Sequence, residues 1–394
     1  MLYSITAFAQ PESSAHTPPS HPVCDLPSPI AGKQELNSAC VYRGRVLIQT
    51  SNTELDCKGA TIDASGLSGD ALVIKGRGLR DIKVQDCIVL NSEGNGIRVG
   101  SDLRPRDLDR LFPQAARYEA VPRNILIKDI IVKDAERSGI YLNAYVHDVA
   151  ISNVRVEGAG GVAIYLDQST RNITIEESVF RQNGFGTERA PRKKASYREG
   201  LAIDSSAQNT IRRNYFEGNA AGGIFLYKNC HERASTKPDS VPRWQSAGDN
   251  LIEENRFFDE PVGIWVASRQ SRNLSAWDCG DTPYAKGFYL DSAKGNRIIR
   301  NDFVNVRKGL LIEDDETLML ENTVSANSSC IDIGTKQRSL ILHAPVIGSS
   351  LIRNRCTLKS GEGYVFKYGA THSKFEGNLS NGKPASPSLI DSNQ

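Results

Sequence analysis

Short runs of alternating apolar and polar residues recur along this chain, separated by turns rich in Gly, Asn and Asp. The clearest phrase is Gly-Ile-x-(Val/Leu/Ile). It reads Gly96-Ile97-Arg98-Val99, Gly139-Ile140-Tyr141-Leu142, Gly200-Leu201-Ala202-Ile203, Gly223-Ile224-Phe225-Leu226, Gly263-Ile264-Trp265-Val266 and Gly309-Leu310-Leu311-Ile312. Weaker copies start at Ala163 and Cys330. A second phrase, Asn-x-Ile-x-x-Asn, runs from Asn209 to Asn214, Asn250 to Asn255 and Asn296 to Asn301.

A period of two places one set of side chains inward and the other outward. One such turn cannot bury its apolar side alone, but stacked turns form a continuous core. Gly at the strand start permits a tight corner. Asn at the corners can bond the local backbone and its own stacked copies. The pattern predicts an all-β chain: a single-stranded right-handed parallel β-helix solenoid with loop insertions walling one face. No apolar run is long enough to span a bilayer, so no membrane insertion is expected.

These rungs resemble the pectin-lyase-like superfamily of parallel β-helices over residues 45–375. They are most similar to those of alginate C5-epimerases and related periplasmic carbohydrate-active proteins. The resemblance implies action on a polysaccharide. The epimerase group's Asp-Pro-His-Asp motif is absent; Tyr145-Val146-His147-Asp148 is the nearest stretch. Asp314-Asp315 lacks the other polygalacturonase motifs.

Residues 1–9 read as the remnant of a signal peptide ending in Ala7-Phe8-Ala9, and 10–22 as a Pro/Ser-rich linker. Residues 23–376 form the β-helix domain, with 23–44 as its N-terminal cap and 377–394 as a loose tail. An exported, periplasmic or extracellular chain follows. Its eight cysteines then pair in order: Cys24 with Cys40, Cys57 with Cys87, Cys230 with Cys279 and Cys330 with Cys356. Insertions at 101–122, 185–199, 230–248 and 269–294 interrupt the period beside the Gly-Ile strands. They should rise around one sheet as the walls of a groove.

Residues that follow the inward Ile point outward into that groove. One column holds Arg98, Tyr141, Tyr165, Ala202, Phe225, Trp265 and Leu311. The next holds Asn143, Asp167, Asp204 and Tyr227. Stacked strands lie about 4.8 Å apart, so Asp167 and Asp204 are neighbours. Such a pair can act as acid and base in glycoside hydrolysis. It can also hold Ca²⁺ with Asn143 and Glu199. In elimination chemistry Lys228 would remove the uronate C5 proton, with Arg98 and Arg269 binding the carboxylate. Tyr141, Tyr165, Phe225 and Trp265 would be sugar platforms, with Asn143, Tyr227 and, in the loop after Lys228, His231 as further substrate-binding groups.

Charge narrows the field little. A net charge of +2 lacks the basic excess of a nucleic-acid binder. Local positive charge from Arg98, Lys228, Arg269 and the run Arg192-Lys193-Lys194 favours an acidic polymer. The expectation is a monomeric lyase on a uronate-containing polysaccharide. A glycoside hydrolase using Asp167 and Asp204, a C5-epimerase and a non-catalytic glycan binder are the alternatives.

Overall fold

The computed structural model describes residues 22–391, apart from 238–239, 286 and 344. The expected signal remnant, and the linker up to residue 21, lie outside the described residues. The rest winds as a parallel β-helix with three faces. Every pairing within the stack is parallel, apart from a small hairpin near the C-terminus, Leu379–Ser380 with Lys383–Pro384.

The first face is built from the Gly-Ile strands, and their register is the one the repeat implies. Arg98 pairs with Tyr141, Tyr141 with Tyr165, Tyr165 with Ala202, Ala202 with Phe225, Phe225 with Trp265, and Trp265 with Leu311. The inward neighbours Ile97, Ile140, Ile164, Leu201, Ile224 and Ile264 are all fully buried. Each such side chain contributes about 1.5–3 kcal/mol through burial. On another face the inward column is aromatic. Phe180, Phe216, Phe257 and Phe303 stack with ring centroids 5.0, 4.9 and 4.6 Å apart.

The Asn-x-Ile-x-x-Asn phrase has a concrete role. Its asparagines are buried at the corners, and each side-chain oxygen accepts from the side chain and backbone N–H of the Asn one rung earlier. One row runs Asn214, Asn255, Asn301, Asn322, Asn354, Asn378. A shorter row runs Asn209, Asn250, Asn296. A third runs Asn183, Asn219 and then Glu260. Burying an amide without partners would cost about 1–3 kcal/mol per orphaned group; stacking satisfies the amides rung by rung. At other corners Asp148, Asn153 and Asn172 take φ of 53°, 49° and 55°, a region these short polar residues tolerate.

Two expected boundaries shift. Residues 23–44 are not a separate cap: Val23–Cys24 and Lys33–Glu35 pair in parallel with later strands, so they are themselves the first rung. The C-terminal tail is not loose, because Ser388–Ile390 adds to the first face beside Glu362–Lys367. The four disulfides form in sequence order, Cys24–Cys40, Cys57–Cys87, Cys230–Cys279 and Cys330–Cys356. Among the described residues no helix is long and apolar enough to cross a membrane.

Candidate functional site

All four insertions gather around the first face. Residues 101–122 include the helices Pro105–Leu111 and Gln114–Glu119. Their Tyr118 hydroxyl donates to Gln245 of the third insertion, and Trp244 Nε1 donates to Tyr145. The third and fourth insertions are joined by Cys230–Cys279. Between these walls runs a trough over the outward column. It has one cleft of about 510 Å³ and a second of about 430 Å³ that share Lys75, Arg98 and Ser101.

Tyr141 and Tyr165 stack along the trough, with ring centroids 5.0 Å apart and planes 16° from parallel. Their rings are half-buried, and their hydroxyls point to carboxylates. Tyr141 donates to Asp167 at 2.9 Å and Tyr165 to Asp204 at 2.6 Å. Burial raises both phenols well above their ordinary value, and the carboxylates add to the effect. Arg243 spans the two acids, 3.6 Å from Asp167 and 3.5 Å from Asp204. Asn229 and Ser205 complete the shell of Asp204. Burial raises the Asp167 pKa, against the pull of Arg243. Arg98 and Asn143 sit together at the open end, joined by a 2.9 Å hydrogen bond.

The adjacency of Asp167 and Asp204 follows the register, yet their accessibilities differ. Asp167 lines the cleft, whereas Asp204 is fully buried. Glu199 does not join them. Two hydrogen bonds from Arg198, at 3.0 and 3.2 Å, and one from Tyr227 at 3.0 Å occupy it. Burial alone would raise its pKa, but the Arg198 charge and hydrogen bonds hold it at about 2. Among the described residues no group of three His, Cys, Asp or Glu side chains is placed to hold a metal. The charge between Asp167 and Asp204 is the Arg243 guanidinium.

Other expected site residues fall behind the surface. Phe225 and Tyr227 are buried beneath the insertions, in an apolar cluster with Val162, Ala202 and Val262. Phe225 cannot be a sugar platform, nor Tyr227 a substrate-binding group, because a sheet face covered by loops becomes a second core. Arg269 is 5% exposed, stacks 4.0 Å from the centroid of the Tyr227 ring and donates to Asn229. It braces the site and cannot reach a ligand. Lys228 is half-buried, lines neither part of the trough, and enters the network through its backbone N–H to Asp291. His231 lies against Gly280 in the disulfide-linked loops. Trp265 stays half-buried, edge-on to Phe225 with centroids 5.3 Å apart.

Arg243 is the residue that sequence reasoning misses. It sits in an irregular insertion where no period fixes position. Asp291 is missed for the same reason, although it accepts the backbone N–H groups of Lys228, Arg269 and Ser292.

A family model described as a right-handed beta helix region matches residues 44–237, and one described as periplasmic copper-binding protein (NosD) matches 198–344. Among the described residues nothing gathers to hold copper: Cys230, Cys279 and Cys330 are in disulfides, Met319 is in the core, and His231 and His343 join no group of three metal-binding side chains. Comparison with curated proteins finds no match. Among solved structures, the surface adhesin PfbA of Streptococcus pneumoniae is 14% identical, with a TM-score of 0.50, 91% of this chain covered and 84% of that one. The pre-mature gene product 12 of bacteriophage phi29 is 13% identical, with a TM-score of 0.51, 94% of this chain covered and 52% of that one. The catalytic domain of a GH87 alpha-1,3-glucanase, in complex with nigerose, is 11% identical, with a TM-score of 0.48 and coverages of 94% and 70%. At these identities the likeness is one of fold. The four disulfides, together with the periplasmic family match, mark an exported protein. With its all-parallel stack and its matched rungs, the chain is a right-handed parallel β-helix protein.

Proposed function

We propose that this chain binds an acidic polysaccharide along the trough, in the periplasm or outside the cell, and cleaves it there by β-elimination. The observation that carries the reading is a cationic trough whose floor is the Tyr141–Tyr165 stack and whose inner edge is Asp167 under Arg243. Sugar rings pack their C–H faces on such a stack. Lys75, Arg98 and Arg243 line the same trough and favour anionic units.

In this chemistry a uronate carboxylate is neutralised by Arg98 and Arg243, which makes the C5 proton more acidic. Asp167, with its raised pKa, is the proton acceptor, in place of Lys228. The C5–H electron pair becomes the C4–C5 double bond. The C4–O bond breaks, and its oxygen takes a proton from the Tyr141 hydroxyl. Asp204 acts by holding Tyr165 and Arg243 in place. A hydrolase would need both acids at the sugar, and the full burial of Asp204 opposes it.

One observation favours a second reading. Asp167 and Asp204 already have internal partners, as they would in a non-catalytic glycan binder. A panel of acidic and neutral polysaccharides, followed by ultraviolet absorbance of the unsaturated product and by a reducing-end assay, separates these cases. Absorbance that rises on a uronate polymer and is lost in Asp167→Asn supports elimination. Reducing ends without absorbance would mean hydrolysis. Binding with no product would leave a binder.

A further inference from the structure

A second cleft, of about 800 Å³, opens away from the trough, between the wall at 185–199 and the turns that lead into the first face. Lys194, Arg272 and Arg307 line it, with Tyr197 and Pro261 as its apolar sides. Among the described residues these three cations have no carboxylate within ion-pair distance. Arg272 lies 5.9 Å from the centroid of the Trp265 ring. Burial, and then the like charge of Arg269, weaken its hold on its proton. A partly desolvated guanidinium without a counter-ion is poised to take one.

Glu260 lines the same cleft and is 1% exposed. It occupies the place in the third corner row where another Asn would stand. Its Oε1 accepts 2.7 Å from Asn219 Nδ2, while Oε2 is buried with no hydrogen-bond partner. Burial pushes its pKa up to about 8. The other acid of the cleft, Asp259, is exposed and tied to Asn305. Cations without ion-pair partners that line one cleft form a receptor for an oxyanion.

We infer that this second cleft binds the oxyanion of an acidic saccharide, with Arg272, Arg307 and Lys194 supplying the charge. The choice of saccharide rests on the reading of the trough; the anion site itself does not.

Calorimetric titration of the full chain with a short oligouronate tests it, with a neutral oligosaccharide and inorganic sulfate as separate arms. Two classes of site are expected for the oligouronate. Arg307→Ala, an exposed position, should weaken one class about tenfold, the scale of one lost charge-assisted bond. Arg307→Glu should abolish it. Arg98→Ala should weaken only the other class. Oligouronate binding indifferent to both Arg307 variants would overturn the second cleft and leave the trough standing. Binding lost in the Arg307 variants and unmoved by Arg98→Ala would uphold the second cleft and sink the trough. Sulfate binding that no oligouronate displaces would refute the saccharide assignment.

Discussion

The Tyr165 hydroxyl donates a 2.6 Å hydrogen bond to Asp204, a side chain with no exposed surface. That bond ties the floor of the trough to the acid beneath it. Tyr165→Phe should therefore cost about 1–3 kcal/mol, since it strips a partner from a buried carboxylate. Asp204→Ala should cost about 3–5 kcal/mol, because it also deprives Arg243 of a buried counter-charge. Urea unfolding of the two variants measures both. Equal and negligible losses would mean that Asp204 does not organise the site.

The asparagine rows make a separate prediction about stability. Asn255 accepts from the backbone and side chain of Asn214, and donates to Ile211 O and to Asn301. Asn255→Ala orphans groups on two neighbouring rungs and should destabilise by more than about 3 kcal/mol. An exposed corner such as Asn153→Ala should cost far less. Similar midpoints in denaturant for the two variants would contradict the role assigned to the row.

Buried acids set the pH dependence. Burial lifts Asp291 to about 7, and Glu260 and Glu313 to about 8. A folded pKa above the unfolded one means that the fold holds the extra proton, so stability falls as pH rises between the two values. For these groups that window runs from the ordinary 3.8 or 4.5 up to about 7 or 8. Glu199, held at about 2 against an ordinary 4.5, acts in the opposite sense and loses its contribution as pH falls through that range. Denaturation midpoints should peak at mildly acidic pH and decline toward pH 8, with a shallower decline in Glu260→Gln. A midpoint rising steadily from neutral to alkaline pH would contradict this.

Cys230–Cys279 closes a loop of sequence separation 49 between two walls of the trough. Removing it by paired Cys→Ser changes should cost about 4 kcal/mol in the chain-entropy account. It should also weaken ligand binding, because Arg243 belongs to the insertion that it anchors. Removing Cys57–Cys87, remote from the trough, should lower stability while sparing affinity. Affinity unchanged in the Cys230/Cys279 double variant would mean that the wall is held by other contacts.

Periodic parts of the molecule were legible in the sequence, and aperiodic parts were not. The Gly-Ile phrase locates the first face and the neighbours of Tyr141, and the Asn phrase locates the corner rows, because a repeat fixes both direction and register. Cysteine order also matched the pairing. The same logic overreaches at Phe225, Tyr227 and Arg269: alternation says which way a side chain points, but not whether an insertion will cover it. Arg243 was invisible for a related reason. Its position depends on how Trp244 and Gln245 lodge against Tyr145 and Tyr118, contacts between insertions that no local pattern encodes.

The row from Asn214 to Asn378 has a direction. In every step the amide nitrogen gives to the rung that follows and the oxygen receives from the rung before. The side-chain dipoles are therefore aligned head to tail along the axis, as peptide dipoles are in an α-helix. Turning a single amide end for end would set nitrogen against nitrogen on one side and oxygen against oxygen on the other. The row is thus polar as a whole, and its orientation is settled collectively across the rungs that share it.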